Sequence, residues 1–318
     1  MKPFCPLLRF LVIACAVLPV VAFAATEAPK KVLVVTVTTG FRHASIPTAE
    51  KILRELATTS GKFTVDFVQQ PDGMPKAPPR PRPNAKGESS PEHQRALLAF
   101  AEAEKVHRTA MAAWMPKVKV ALEKLSPANL KNYDAVLFAS TTGDDFPMPD
   151  QQGFLDWIAS GKAFIGVHAA TDTLKQFGPY VSMIGGAFRT HGAQVSVDCV
   201  NQDPSHVACA KLPQRWTVFD EIYEFKNFER PRVHGLLTLD KHPQDKTPGD
   251  NPVAWARNHG RGRVFYTSLG HREDVWDPEY TQGGRKNSPE VARQFQQHLL
   301  GGILWALGLA DGKIKHQP

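Results

Sequence analysis

Lys162-Ala-Phe-Ile-Gly-Val-His-Ala-Ala-Thr-Asp172 is the stretch on which the fold turns. Residues 163–167 are small or apolar throughout, as in a short strand covered on both faces, and His168 stands where that strand ends. A Gly/Ala-rich turn follows, and the pattern predicts a helix from about Thr173. Ligands of open α/β sheets bind outside the carboxyl ends of the strands, so His168 occupies a position suited to chemistry.

Working upstream, residues 133–139 read as another core strand and residues 149–160 as an amphipathic helix carrying Phe154, Trp157 and Ile158. A β-branched run at 31–38 is strand one. The polar loop Thr39-Gly-Phe-Arg-His-Ala-Ser45 leads from it to a helix at 47–58, and residues 63–68 form the second strand. Strands alternating with helices predict a doubly wound parallel sheet. No G-x-G-x-x-G is present, so no nucleotide cofactor is expected.

Downstream of Gly186 the rhythm changes to strands without intervening helices, at 194–200, 216–225, 233–239, 253–257 and 263–268. The last two flank a hairpin-type turn, Asn258-His-Gly-Arg-Gly262. These strands predict an antiparallel C-terminal extension of the sheet. A helix at 289–307 then covers one face. Residues 25–318 thus read as one domain.

That domain carries an insertion at 71–124. Its first part, 71–91, is rich in Pro, Lys and Arg and cannot bury an apolar face, so it reads as a mobile surface excursion. From 91 to 125 the pattern is helical, with Pro116 placed to break the helix in two. A solvated appendage and a lid over the site are the two readings of this segment.

The first residues have the three parts of a secretory signal: Lys2 and Arg9, an apolar run at 10–21, and Ala22-Phe23-Ala24 as a cleavage site. Residues 1–24 are therefore expected to be removed, leaving a periplasmic or secreted protein with no membrane span. Of the formal net charge of +7, two charges belong to that leader, and most of the rest lies in 71–124, with ten Lys/Arg against six Asp/Glu. No basic stripe interleaved with aromatics remains, which sets nucleic acid aside as a partner. Cys5 and Cys15 fall in the leader. Cys199 and Cys209, in an oxidising compartment and joined by a turn-rich segment, are expected to form a disulfide.

His43, His168, His191 and His271 each follow or interrupt an apolar strand or a glycine turn. One histidine so placed is more often merely hydrogen-bonded, but four suggest a site. In Asp220-Glu-Ile-Tyr-Glu224, strand alternation puts Glu221 and Tyr223 on one face and Asp220 and Glu224 on the other. Neutral imidazoles with a carboxylate suit Zn²⁺ or another divalent metal, while a histidine without metal can act as general acid or base. Neither H-E-x-x-H nor C-x-x-C spacing occurs.

Taken in order, Thr36-Val-Thr-Thr-Gly-Phe-Arg-His-Ala-Ser-Ile46, Tyr133-Asp-Ala-Val with Thr142-Gly143, Gly166-Val-His-Ala-Ala-Thr-Asp172, Gly185-Gly-Ala-Phe-Arg-Thr-His191, Asp220-Glu-Ile-Tyr-Glu-Phe225, Pro252-Val-Ala-Trp255 and Gly262-Arg-Val-Phe-Tyr-Thr-Ser-Leu-Gly-His271 resemble the trehalose-utilisation (ThuA-like) family. The resemblance covers the chain after the leader except 71–124. It implies a flavodoxin-like fold of the class I glutamine-amidotransferase type. The comparable elbow here carries His168 followed by Ala169 and Ala170, so no thiol is available there and glutamine hydrolysis is not expected. The family's association is with disaccharides and sugars oxidised to 3-keto forms, and it implies His43, His168, His191, Glu221, Tyr223 and His271 as pocket residues.

The expectation is an exported carbohydrate-active enzyme acting on a trehalose-type glycoside or 3-keto-glycoside. His168, Glu221 and Tyr223 are its catalytic candidates, and His43, His168, His191 and His271 its metal candidates. Arg42, His43, Arg189 and Trp255 are candidates for sugar contacts, Arg189 and Trp255 being equally readable as structural. The competing reading is a non-catalytic sugar-binding or accessory module of the same fold.

Overall fold

The computed structural model describes Met1, residues 28–82 and residues 90–314; the leader after Met1 lies outside the described residues. In chain order its elements are β1 (Lys30–Val35), α1 (Ile46–Ser60), β2 (Phe63–Val68), α2 (Pro91–Leu122), α3 (Pro127–Leu130), β3 (Ala135–Ala139), α4 (Gln151–Ala159), β4 (Ala163–Val167), α5 (Gly178–Ile184), β5 (Ala187–His191), β6 (Val195–Asn201), β7 (Arg215–Asp220), β8 (Tyr223–Lys226), β9 (His234–Lys241), β10 (Pro248–His259), β11 (Gly262–Thr267), α6 (Glu273–Trp276) and α7 (Pro289–Ala306).

Among the described residues, nine strands form one sheet in the order β2-β1-β3-β4-β11-β10-β9-β6-β7, and β5 and β8 form a separate antiparallel ribbon. Pairings from β2 through to β11 are parallel, and those from β11 to β7 are antiparallel. The result is the expected flavodoxin-like α/β sheet with an antiparallel extension. β11 itself lies parallel to β4, so the extension begins one strand later than the sequence pattern suggests.

Side-chain alternation along the central strands divides the core. Val32, Val34, Leu137, Ile165 and Val167 face Leu53 of α1 and Phe295 and Leu299 of α7. Leu33, Val35, Val136, Phe138 and Phe164 belong to the opposite layer, with Trp114 and Val118 of α2, Phe154 of α4 and Met183 of α5. The two-sided burial explains why β1, β3 and β4 read as unbroken apolar runs.

Several local expectations are corrected. Thr173 is extended and its hydroxyl meets Thr141 Oγ1 at 2.7 Å, so no helix starts there; a 3-10 turn spans His168–Asp172 and the helix begins at Gly178. Pro116 does not divide α2, which runs through it for 32 residues, because Trp114 and Val118 on either side are locked into the core. The second half of the insertion is therefore part of the core packing. The strand expected at 216–225 is two strands in two sheets. It breaks after Asp220, whose carboxylate accepts a hydrogen bond from the Glu221 N–H at 2.9 Å and turns the chain. β5, its partner ribbon strand, went unpredicted.

The disulfide is also absent. Cys199 and Cys209 are free buried thiols. Cys199 lies opposite Trp216 in the β6–β7 ladder, and the Cys209 thiol instead points to the Leu236 carbonyl at 3.6 Å.

A polar knot fastens the segment after the last strand. Asp274, fully buried, accepts hydrogen bonds from Arg272 Nε at 2.9 Å, Asn287 Nδ2 at 2.9 Å and the Lys286 N–H at 2.6 Å. Burial raises its pKa, but these donors together outweigh burial and bring it to about 2. A carboxylate depressed in the folded state contributes stability above its unfolded pKa of 3.8 and loses it as pH falls through about 2. Asp274→Asn is accordingly expected to cost roughly 2 kcal/mol near neutrality and less at acid pH. Urea unfolding at pH 7 and pH 2.5 checks this.

Candidate functional site

Because β1, β4 and β11 run parallel, the loops after them leave the same edge of the sheet, and each carries one histidine: His43, His168 and His271. Glu221 reaches them from the break between β7 and β8, and Tyr223 from the start of β8.

His168 takes up a left-handed backbone, with φ of 52°, at the first position after β4. Such a conformation costs a β-carbon-bearing residue of order 1 kcal/mol or more, and is kept where surroundings enforce it. Here Tyr266 Oη donates to the His168 carbonyl at 2.7 Å and is itself held by Thr171 Oγ1 at 2.9 Å. The neighbouring Gly166 is needed because a Cβ there would lie 2.9 Å from the Tyr266 ring.

The His168 ring is equally constrained. Its Nδ1 lies 2.8 Å from the Ser268 carbonyl, which can only accept, so Nδ1 carries the proton and Nε2 the lone pair. Around that lone pair stand Tyr223 Oη at 3.0 Å, His43 Nε2 at 3.2 Å and Glu221 Oε2 at 3.7 Å. Glu221 Oε2 is also 3.3 Å from His271 Nδ1, while Oε1 is 3.0 Å from His191 Nδ1. His43 Nδ1 is buried without a hydrogen-bond partner among the described residues.

Asp220 organises the approach of two of these groups. Fully buried, it accepts from the Glu221 N–H and, at 2.7 Å, from the Gly270 N–H. The Gly270 carbonyl receives Ser45 Oγ at 3.0 Å and Trp276 Nε1 at 2.9 Å, so the peptide before His271 is fixed from both ends. Burial raises the Asp220 pKa to about 6 against the pull of those donors and of His271.

Electrostatics keep two of the imidazoles neutral. Burial, then the neighbouring imidazoles, lowers His43 to about 4 and His168 well below its ordinary value. At His271 burial also pulls downward, but the Glu221 carboxylate overcomes it and the net direction is up.

His43, His168, His271 and Glu221 can each offer a ligand atom, and all four atoms lie within 4.8 Å of one another. Three of the six separations, 3.2, 3.3 and 3.7 Å, lie near the roughly 3.4 Å edge of a tetrahedron with metal–nitrogen bonds of about 2.1 Å, and the others are at most 4.8 Å. The neutral His43 and His168 imidazoles, the latter oriented by a backbone carbonyl, are what a divalent cation requires, and His271 would give up its proton to the cation. The donor set therefore fits Zn²⁺ or a similar ion. His191 is outside this group, at the exposed side of Glu221 and also bonded to the Gly192 carbonyl at 2.8 Å.

The remaining candidates go elsewhere. Arg42 donates to the Thr36 carbonyl at 3.0 Å and approaches Gln70 Oε1 at 3.4 Å. Arg189 is exposed on β5 and lines a hollow of about 350 Å³ beside Tyr223. Trp255 is fully buried with its indole N–H on the Ile184 carbonyl, leaving no face for a sugar to stack on. Glu224 pairs with His242 at 3.1 Å. Ser268, Tyr266 and Ser45 were not legible as site residues, since they act through a carbonyl or through ordinary strand and loop hydroxyls.

Two solved structures resemble the whole molecule. A ThuA-like protein of Parabacteroides merdae is 18% identical, with 90% of this chain and 93% of that one covered at a TM-score of 0.59. A ThuA-like protein of Bacteroides uniformis is 16% identical, with 90% and 94% covered at a TM-score of 0.56. At these identities the likeness concerns the fold. No curated protein matches the chain. The family model described as trehalose utilisation, ThuA, matches residues 85–306, well over half of the chain. That span starts after His43 and holds the other three members of the imidazole–carboxylate cluster, on the elbow, the β7–β8 break and the loop after β11. By this match the chain belongs to the ThuA trehalose-utilisation family.

Proposed function

We propose that the protein is an exported carbohydrate-active enzyme that cleaves a trehalose-type glycoside in its 3-keto form by His/Glu acid–base chemistry, assisted by a divalent metal. A role in trehalose utilisation follows from the family; the reaction is our reading. The observation that carries it is the convergence of His43, His168, His271 and Glu221 within 4.8 Å.

In a 3-keto-glycoside the ketone acidifies the adjacent C–H. A base removes that proton, the electron pair forms a ring double bond, and the glycosidic C–O bond breaks as an acid protonates the leaving oxygen. Glu221 is the base in this scheme. Its Oε1 lies 3.0 Å from His191, which stands outside the metal group and is partly open to solvent, so His191 can supply a proton to the leaving group and exchange it with water. Tyr223 Oη, 3.0 Å from His168 Nε2, would hydrogen-bond a sugar oxygen in this scheme. A divalent cation held by His43, His168 and His271, with its fourth position open to the substrate, would supply Lewis acidity toward the carbonyl oxygen.

The thiol chemistry associated with this fold has no support in the chain. His168 occupies the elbow, and burial pushes the thiols of Cys199 and Cys209 up, Cys209 to about 12. Export rests on the leader read from the sequence. Among the described residues no helix is long and apolar enough to cross a membrane.

With 3-keto-trehalose, His168→Ala and Glu221→Gln are each expected to lower kcat/KM by roughly a hundredfold or more. Product formation by wild type equal to that of the variants, or none from wild type, would overturn the catalytic reading in favour of a sugar-binding module. Elemental analysis after Zn²⁺ loading and dialysis is expected to find about one metal per chain, in line with three imidazole ligands and an open fourth position. His43→Ala and His271→Ala should lose it and His191→Ala should keep it. A wild-type protein that retains none would remove the metal from the scheme.

A further inference from the structure

Trp255, the aromatic that the sequence suggests as a surface for a sugar, is fully buried. The ring that stands open beside the cluster is Phe41. Among the described residues it is the one exposed aromatic side chain, at 66%, and its ring meets the buried His43 ring edge-on with centroids 4.8 Å apart. His43 in turn meets the His168 ring at 4.7 Å. Ring contacts therefore run without a break from solvent to the elbow.

The backbone holds Phe41 in this place. Its carbonyl accepts from Thr142 Oγ1 at 2.8 Å, and the Thr39 N–H donates to the Thr142 carbonyl at 2.9 Å. A Cβ on Gly40 would lie 3.1 Å from Thr142 Oγ1, so the close approach of the two loops favours glycine there. The next two side chains turn inward: Arg42 donates to the Thr36 carbonyl at 3.0 Å, and His43 is buried. An apolar ring fixed in water at the edge of a site gains free energy when a ligand covers it. Tyr223 and Phe188, also near His168, pack on one another with centroids 4.4 Å apart and offer less open surface.

We infer that Phe41 is the stacking platform for the second sugar ring of a trehalose-type disaccharide, the ring that carries no ketone. The inference rests on the proposed carbohydrate function and names the residue that selects a disaccharide over a single sugar. A glucose chair with equatorial hydroxyls turns C–H groups to its two faces. Such a face suits the flat face of an aromatic ring, while the hydroxyls around the edge stay in water. Oxidation at C3 removes one of those C–H groups, so the intact ring is the better partner for Phe41 and the keto ring goes to the cluster. One ring at the cluster leaves Phe41 uncovered; a second ring linked to it covers it.

The test is equilibrium binding to the full chain, by calorimetry, of trehalose against methyl α-D-glucoside, which lacks the second ring. Wild type is expected to bind trehalose about tenfold more tightly, the gain from one aromatic contact. Phe41→Ala should bring the two affinities to within about twofold of one another, and Phe41→Tyr should keep the preference. Phe41→Leu, apolar but without a flat face, should lose it, which separates stacking from a merely structural need for bulk. Circular dichroism checks that each variant folds. Equal affinity in wild type, binding of neither sugar, or a preference that folded Phe41→Ala and Phe41→Leu retain would overturn the platform. Since neither sugar carries a ketone, a wild type that turns over no 3-keto-trehalose but shows this pattern upholds the platform and counts only against the catalytic reading. Turnover of 3-keto-trehalose without the pattern does the reverse.

Discussion

The geometry of the site depends on one buried carboxylate that binds the backbone of the cluster it organises. Asp220 accepts from the backbone of Glu221 on one side and of Gly270 on the other, and so ties the β7–β8 break to the loop after β11. Those loops are about fifty positions apart in the chain and belong to different parts of the sheet. Without a common acceptor, two buried N–H groups would be left unsatisfied, at a cost of about 1–3 kcal/mol each. With it, Glu221 and His271 are held within 3.3 Å of one another. The depth that makes this bond strong also raises the Asp220 pKa, so the fold maintains the carboxylate only through the donors aimed at it.

The layout of the sheet divides the labour further. Loops after parallel strands necessarily emerge at one edge, which gives His43, His168 and His271 a common direction before any side chain is considered. The antiparallel half then supplies what the parallel half lacks, a carboxylate and a phenol, through a chain that leaves β7 at Asp220 and re-enters as β8 of the ribbon. His168, strained in its backbone and fixed through Ser268, is the centre on which both halves meet.

Much of this was legible in the sequence wherever one local signal sufficed. Apolar runs marked β1, β3 and β4. A histidine directly after a strand also declared itself, as at His168. What stayed illegible required knowledge of the partner. The run at 216–225 has strand propensity throughout, and only the Asp220 side chain bonding the next backbone N–H breaks it. Thr173 looks like a helix start until Thr141 claims its hydroxyl. Trp255 resembles a sugar platform, and its burial is decided by Phe225, Phe228 and Tyr266 around it. The insertion read as an appendage because its Pro-rich lead hides the Trp114 and Val118 anchor that follows.

The four members of the cluster sit at positions 43, 168, 221 and 271, separated by most of the length of the chain. No local fragment, and no partly folded state that lacks either half of the sheet, can bring them together. Whatever occupies this site therefore binds the native state almost exclusively, and by mass action each tenfold excess of ligand over its dissociation constant adds about 1.4 kcal/mol to the stability of the entire domain. Recognition and folding are in this sense one equilibrium: the occupant of the site is also a keystone of the sheet that builds it.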